Sequence, residues 1–171
     1  MSAPDFAELI GQLRGDGERL LTAHGAIGAA ALADQVRALA DALQRHDLHC
    51  VASRLDNGSD WLALDLAIRL RGGVHVPLPT FFSPAQAQYA LDGSGAQCLI
   101  AAVGNAVPRG EPLPLPLSAP GLGCWRLAPA PVTLPAGTGC ITYTSGTTGQ
   151  PKGVCLEAGA LLQVAASLAD A

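Results

Sequence analysis

Hydrophobic positions in this chain follow two patterns, a helical repeat and short unbroken apolar runs. The clearest repeat is in residues 29–44, where Leu32, Val36 and Leu43 fall on one face. Comparable patterns predict further helices over residues 5–13, 60–71, 84–91 and 157–168. Apolar runs predict strands over residues 48–53, 74–78, 98–101, 140–143 and 154–156, and one near Trp125. Secondary structure of both kinds therefore extends along the whole chain.

Strands alternate with helices in this order, which is typical of an α/β fold. We expect a parallel-rich sheet flanked by helices. Ser59 is positioned to cap helix 60–71, and Ser83-Pro84 places a proline at the first position of the next helix. The proline-rich stretch 108–120 is either a linker or an extended crossover within one domain. Strands on both sides of it favour the crossover.

The composition is apolar for a free-standing domain. Hydrophobic residues make up 49% of the 171 residues and charged residues only 14%, against about 25% in an average soluble domain. Mean hydropathy is +0.30, which excludes a disordered chain. We therefore expect that additional sequence covers part of the apolar surface, and that the chain by itself tends to associate with other copies.

Charge argues against nucleic acid and anionic membranes as partners. The net charge is -4, and the 10 Lys and Arg residues form no basic stripe. Aromatic residues are 4% of the chain, too few for a base-stacking platform. The N-terminus has no basic segment followed by an apolar one, and the uncharged stretch 127–151 is rich in Gly, Pro and Thr. These features predict a cytoplasmic protein without a membrane span.

The five cysteines and four histidines show no metal-ligand spacing. We interpret the thiols as reduced and mostly buried. Cys155 lies in an apolar run without a neighbouring histidine, so we expect a small core residue rather than a nucleophile. Trp61, Phe81 and Phe82 are predicted core residues. No catalytic or metal-binding residue is assigned from the sequence.

The segment between Tyr143 and Val154 has the composition of a phosphate-binding loop. Its glycines let the backbone approach a ligand closely, and successive backbone N–H groups can surround an anion. Hydroxyl groups add donors, and Lys152 adds a positive charge. The predicted phosphate-binding residues are Thr144, Ser145, Gly146, Thr147, Thr148, Gly149 and Lys152.

The loop is not a Walker A motif, because Gln150-Pro151 separates Gly149 from Lys152. It does not match the dinucleotide-binding fingerprint either. A Ser/Thr/Gly surface turn is the simpler alternative. Twelve consecutive residues in this order are hard to obtain from generic turn chemistry.

Residues 143–154 resemble the phosphate loop of the adenylate-forming superfamily, whose pattern Tyr-Thr-Ser-Gly-Thr-Thr-Gly-x-Pro-Lys-Gly-Val is present without substitution. That superfamily includes acyl-CoA synthetases and the adenylation domains of peptide synthetases. Upstream, residues 32–43, Asn57 before an apolar helix, and residues 72–78 also resemble family segments. Many members carry a histidine just after the loop, where this chain has residues 156–159, Leu-Glu-Ala-Gly.

The resemblance implies an ATP- and Mg²⁺-dependent ligase that activates a carboxylic acid as its acyl-adenylate. The acyl group then usually passes to CoA or to the phosphopantetheine of a carrier protein. It also implies that residues 1–171 are the N-terminal portion of an adenylation domain, truncated after the phosphate loop and inactive alone. Lys152 is distinct from the family's C-terminal catalytic lysine. The alternatives are a non-catalytic truncated module and a partner subunit for a separate downstream chain.

Overall fold

The computed structural model describes residues 6–12, 19–22, 25–104, 110–144 and 150–169. Within these ranges the chain forms five helices and nine strands. The helices are α1 (Phe6–Gln12), α2 (Ala29–Arg45), α3 (Ser59–Leu70), α4 (Pro84–Ser94) and α5 (Ala158–Ala169). The strands are β1 (Arg19–Thr22), β2 (Gly25–Gly28), β3 (Cys50–Arg54), β4 (Val74–Pro77), β5 (Cys98–Ala102), β6 (Glu111–Pro112), β7 (Leu122–Arg126), β8 (Thr138–Thr144) and β9 (Lys152–Glu157).

A seven-stranded sheet organises the described residues, with strand order β6-β7-β5-β3-β4-β8-β9. The four central strands β5, β3, β4 and β8 are parallel, and the pairs at both margins are antiparallel. Strands β1 and β2 form a separate antiparallel pair. The predicted α/β fold, a sheet flanked by helices, is confirmed. Strands β1, β2 and β6, each of four residues or fewer, were not predicted from the sequence.

Helices cover both faces of the sheet. On one face, Val51 of β3 and Ile100 of β5 pack with α2 and α3. On the other face, Ala52 of β3 and Ile141 of β8 pack with α4. Successive residues of a strand point to opposite faces, so a strand covered on both sides becomes a continuous apolar run. This is why β3 and β5 could be predicted from the sequence.

The predicted helices agree with the structure to within one residue at each end, except that α4 continues to Ser94, three residues beyond its predicted end. Ser83 caps α4 as expected: its Oγ accepts from the Gln86 N–H at 3.3 Å, and its own N–H donates to Gln86 Oε1 at 3.0 Å. The prediction that Ser59 caps α3 was wrong. Gly58 occupies the cap position without a side-chain hydrogen bond, and its carbonyl accepts from the Leu62 N–H at 3.0 Å. Gly72, at φ +63°, follows the C-terminus of α3 in the left-handed conformation that glycine adopts readily.

The proline-rich stretch is a crossover inside the domain, because its leucines Leu113, Leu115 and Leu117 pack against the core beneath α2 and α3. The aromatic expectations hold only in part: Phe82 is buried, whereas Phe81 is 81% exposed at the end of β4, where the chain leaves the sheet. None of the helices in the described ranges is long and apolar enough to cross a membrane.

Candidate functional site

The predicted phosphate-binding segment joins two antiparallel neighbours at the margin of the sheet. Thr144 ends β8, Lys152 begins β9, and the two residues are direct Cα partners. Cross-strand partners point to the same face with Cβ atoms about 5 Å apart. Both side chains are exposed. The two side chains therefore start from neighbouring positions on one face of the sheet, at the base of the segment.

The other predicted site residues, Ser145, Gly146, Thr147, Thr148 and Gly149, lie outside the described residues. Pro151, which precedes Lys152, is buried. The antiparallel pairing continues from Thr144 and Lys152 back through Tyr143 and Gly153. The base of the segment is therefore held by the sheet.

Tyr143 fixes the end of β8 against α4. Its hydroxyl donates to the Ala90 carbonyl at 2.9 Å. Burial raises the pKa of Tyr143, so the phenol stays protonated and remains a donor. Its ring also lies over Gly153: a Cβ built there would be 3.1 Å from Cε1 and Cζ of the ring. A side chain at position 153 would therefore require the ring to move by a few tenths of an ångström.

Gly153→Ala is therefore expected to lower the free energy of unfolding by about 1–3 kcal/mol, because overpacking displaces a ring that is hydrogen-bonded in place. Urea unfolding measures this change. The matched control is Gly104→Ala, where a Cβ would meet nothing within 4 Å, and the control is expected to change stability by less than about 1 kcal/mol. Equal effects of the two substitutions would contradict this account of Tyr143 and Gly153.

The carboxyl ends of the parallel strands β3, β4 and β8 meet at the edge of the sheet where the segment begins. Open α/β sheets bind ligands at this edge. A cavity of about 300 Å³ lies there between the ends of β3 and β4, lined in part by Trp61 and Phe81. Arg54 holds the connection after β4, because its Nη2 donates to the carbonyls of Thr80 and Phe82 at 2.8 and 2.7 Å. The cavity therefore lies at the same edge of the sheet as the end of β8.

Behind this edge is a buried polar network that the sequence analysis missed. Nδ1 of His75 donates to Asp65 Oδ1 at 2.7 Å, and its Nε2 lies 2.8 Å from Ser53 Oγ. Arg69 Nε donates to Asp65 Oδ2, also at 2.7 Å. The signal in the sequence was the spacing of Asp65 and Arg69, two opposite charges four residues apart within the otherwise apolar stretch 61–70.

The Ser53, His75 and Asp65 contacts resemble the hydrogen bonding of a hydrolase triad, but Ser53 is 1% exposed and His75 is 0% exposed. No substrate can reach such a serine, so the network is structural. It connects β3 and β4 to α3. Burial alone would raise the pKa of Asp65, but hydrogen bonds and charge from His75 and Arg69 outweigh it and hold the pKa below 3.8.

A lowered pKa in the folded state makes Asp65 a stabilising group above pH 3.8. This contribution is lost as pH falls through the folded-state pKa, because the unfolded chain binds the proton more tightly. We expect the free energy of unfolding to fall on acidification below about pH 4. Urea titrations from pH 5 to pH 2.5 should show a shallower fall in Asp65→Asn. Parallel pH profiles of the two proteins would contradict the assignment.

Within the described ranges, no group of three or more His, Cys, Asp and Glu side chains is placed to hold a metal ion. Four cysteines, at positions 50, 98, 124 and 140, are buried as expected. The expectation for Cys155 was wrong, because the side chain is exposed. Strand β9 lies at the margin of the sheet, and the helix that follows leaves most of it uncovered. An apolar run in the sequence did not distinguish this strand from a buried one.

The sheet and its helices match the fold of the N-terminal subdomain of adenylate-forming enzymes. The chain belongs to the AMP-binding enzyme family, whose sequence model matches residues 23–171. Among solved structures, apo MatB from Rhodopseudomonas palustris is 25% identical with a TM-score of 0.70, covering 99% of this chain and 38% of MatB. The NpsA N-terminal subdomain from Klebsiella oxytoca, in complex with 3-hydroxybenzoyl-AMSN, is 26% identical with a TM-score of 0.64, covering 89% of this chain and 40% of that one.

Among curated proteins, two plipastatin synthase subunits from Bacillus subtilis (strain 168) match over 107 residues, one at 33% identity and the other at 34%. Each alignment covers 60% of this chain and 4% of the relative. The chain therefore spans a small part of these curated relatives and less than half of the matched structures.

Proposed function

We propose that this chain supplies the polyphosphate-binding part of an ATP-dependent enzyme that activates a carboxylic acid as its acyl-adenylate. The observation that carries the proposal is the pairing of Thr144 with Lys152 at the carboxyl edge of the parallel strands. Between them, the sequence has the family loop without substitution. Membership of the AMP-binding enzyme family supports the same assignment.

The residues present fit a polyphosphate. Lys152 supplies an exposed positive charge, and the hydroxyl of Thr144 lies on the same face of the sheet. Ser145, Gly146, Thr147, Thr148 and Gly149 complete the proposed set with hydroxyl and backbone N–H donors. Such donors stabilise the negative charge that accumulates on departing phosphates.

ATP supplies an α-phosphate that the carboxylate attacks, with pyrophosphate as the leaving group. The role of this chain is to orient the β- and γ-phosphates and to balance their charge. Mg²⁺ commonly accompanies such phosphates and prefers oxygen ligands. No residue of this chain is proposed as its ligand. Transfer of the acyl group to CoA or a carrier-protein thiol is proposed from family membership alone.

The proposal is tested by ATP–pyrophosphate exchange with a panel of carboxylic acids. The assay compares the natural gene product that contains this sequence with residues 1–171 expressed alone. We expect exchange with at least one acid in the former and none in the latter, because the phosphate loop alone makes too few contacts to orient the reaction. Robust exchange by residues 1–171 would overturn the claim that catalysis needs further chain.

A non-catalytic role in polyphosphate binding is the second candidate. It predicts polyphosphate binding without exchange, even in the natural gene product. Light scattering of residues 1–171 tests the accompanying expectation that the chain self-associates. A monodisperse monomer would refute that expectation and leave the phosphate-binding proposal unchanged.

A further inference from the structure

A second cavity lies at the opposite edge of the sheet from the phosphate segment. It measures about 770 Å³ and opens at the amino ends of the parallel strands, where Cys50 begins β3 and Val74 begins β4. The C-terminal part of α3, the start of α5 and the connection 129–135 form its other walls. Its volume is in the range of small-molecule sites, which is about 300–1,000 Å³.

Most polar side chains on the cavity wall are already paired. Gln97 Oε1 accepts from the N–H groups of His49 and Cys50 at 2.6 and 2.9 Å, and its Nε2 donates to the Asp47 carbonyl at 3.2 Å. Ser94 Oγ donates to the Leu91 carbonyl at 3.1 Å. Each of these side-chain atoms already has a partner within the protein.

Thr138 Oγ1 likewise donates to the Pro135 carbonyl, at 2.7 Å. Arg69 is the exception on this wall. Its side chain is 10% exposed, and its Nη1 is one of three buried side-chain nitrogen or oxygen atoms without a hydrogen-bond partner in the described part of the chain. The other two belong to Arg54 and Arg71, which do not line the cavity.

The surroundings of Arg69 define what kind of group can pair with Nη1. Asp65 already balances the positive charge through its contact with Nε, and the Phe6 ring lies 5.8 Å from the guanidinium carbon. The Cys140 thiol also interacts with the Arg69 guanidinium, but sulfur is only a weak hydrogen-bond acceptor and satisfies it incompletely. A second anion would leave an unbalanced charge in a poorly solvated place, which is costly. An uncharged acceptor, such as a carbonyl oxygen, can accept a hydrogen bond from Nη1 without adding a charge.

The remaining wall is mostly apolar, with Pro129, Pro131, Val132, Leu134 and Leu162 among its residues. We propose that this cavity is a second binding site, separate from the phosphate segment, for an uncharged and largely apolar molecule that presents a carbonyl oxygen to Arg69. Nη1 is itself fully buried, so binding includes a shift of the guanidinium or of the Phe6 ring toward the ligand.

Three probes of similar size test the proposal by NMR titration of the ¹⁵N-labelled chain. Acetanilide carries a neutral carbonyl, phenylacetate carries a carboxylate, and propylbenzene carries neither. We expect saturable binding of acetanilide with shifts around the cavity, and at least about tenfold weaker binding of phenylacetate. Tighter binding of phenylacetate would overturn the choice of an uncharged ligand. No saturable binding of acetanilide at millimolar concentration would overturn the site.

Three substitutions test whether acetanilide binds in this cavity. Ala130 is an exposed residue of the cavity wall, so Ala130→Trp should block acetanilide without disturbing the core. The matched control is Ala128→Trp, an exposed position outside this cavity, which should leave binding unchanged. Arg69→Met should weaken acetanilide about tenfold and leave propylbenzene unaffected. Equal acetanilide affinity in the wild type and in Ala130→Trp would place the ligand elsewhere and refute the proposal.

Discussion

Replacing Lys152 with alanine is expected to weaken binding of tripolyphosphate by about tenfold or more. Lys152 begins β9 directly opposite Thr144, and its side chain is exposed at the base of the phosphate segment. A hydrogen bond to a charged group contributes about 1.5–3 kcal/mol, and each 1.4 kcal/mol is a factor of ten in affinity. Equilibrium dialysis of the chain against labelled tripolyphosphate measures the change. Pyrophosphate exchange in the natural gene product should slow by a similar factor if the contact is made mainly in the transition state.

The matched control is Arg37→Ala, which removes an exposed positive charge from the helix Ala29–Arg45. It lowers the net charge by the same amount but leaves the phosphate segment intact. We expect an unchanged tripolyphosphate affinity in this variant. If Lys152→Ala and Arg37→Ala weaken binding equally, then the effect is one of net charge, and Lys152 is an ordinary surface lysine.

Asp65→Asn is expected to lower the free energy of unfolding by about 3–5 kcal/mol, the usual effect of removing one partner of a buried ion pair. The substitution keeps the size of the side chain but removes the charge that balances Arg69, and it weakens the hydrogen bond from His75. A change of this size is a large fraction of the stability of a typical domain. Urea unfolding followed by circular dichroism measures it.

Asp34→Asn provides the control, because Asp34 pairs with Arg37 on the surface at 3.2 Å. We expect a loss below about 1 kcal/mol there, since water screens an exposed pair. The double variant Asp65→Leu/Arg69→Met should recover part of the stability lost in Asp65→Asn, because it removes both buried charges together. A small effect of Asp65→Asn, similar to that of Asp34→Asn, would mean that the network contributes little.

The order of strands and helices could be predicted because strands covered on both faces are unbroken apolar runs, as in 98–101, and helix 29–44 buries one clean face. The short strands could not be predicted in this way. Glu111–Pro112 has two exposed residues, and its pairing depends on the position of the neighbouring strand rather than on its own sequence. The antiparallel pair β1 and β2 could not be predicted for the same reason, because each strand has only four residues.

The candidate site could be predicted as a set of residues, but its setting could not. The loop motif identified Thr144 and Lys152 as candidate residues. Only the structure shows that they are direct partners on neighbouring strands. The roles of Tyr143 and Gly153 depend on a contact with α4, which is distant in sequence. Phe81 was assigned to the core because aromatic residues are usually buried, yet it lies 81% exposed where the chain leaves β4. These contacts and exposures depend on how elements distant in sequence pack together, which the local sequence pattern does not specify.

Lys152 is the only lysine of the chain, which makes one measurement especially direct. Reductive methylation with ¹³C-formaldehyde labels this side chain and the N-terminal amine, and it preserves the positive charge. The two ¹³C signals are then followed by NMR as tripolyphosphate is added, with AMP added in a parallel titration. The account predicts a saturable shift of the Lys152 signal with tripolyphosphate, a much weaker response to AMP, and a constant N-terminal signal. A Lys152 signal that stays constant, or that moves only in step with the N-terminal signal, would contradict the assignment of this segment as a polyphosphate-binding site.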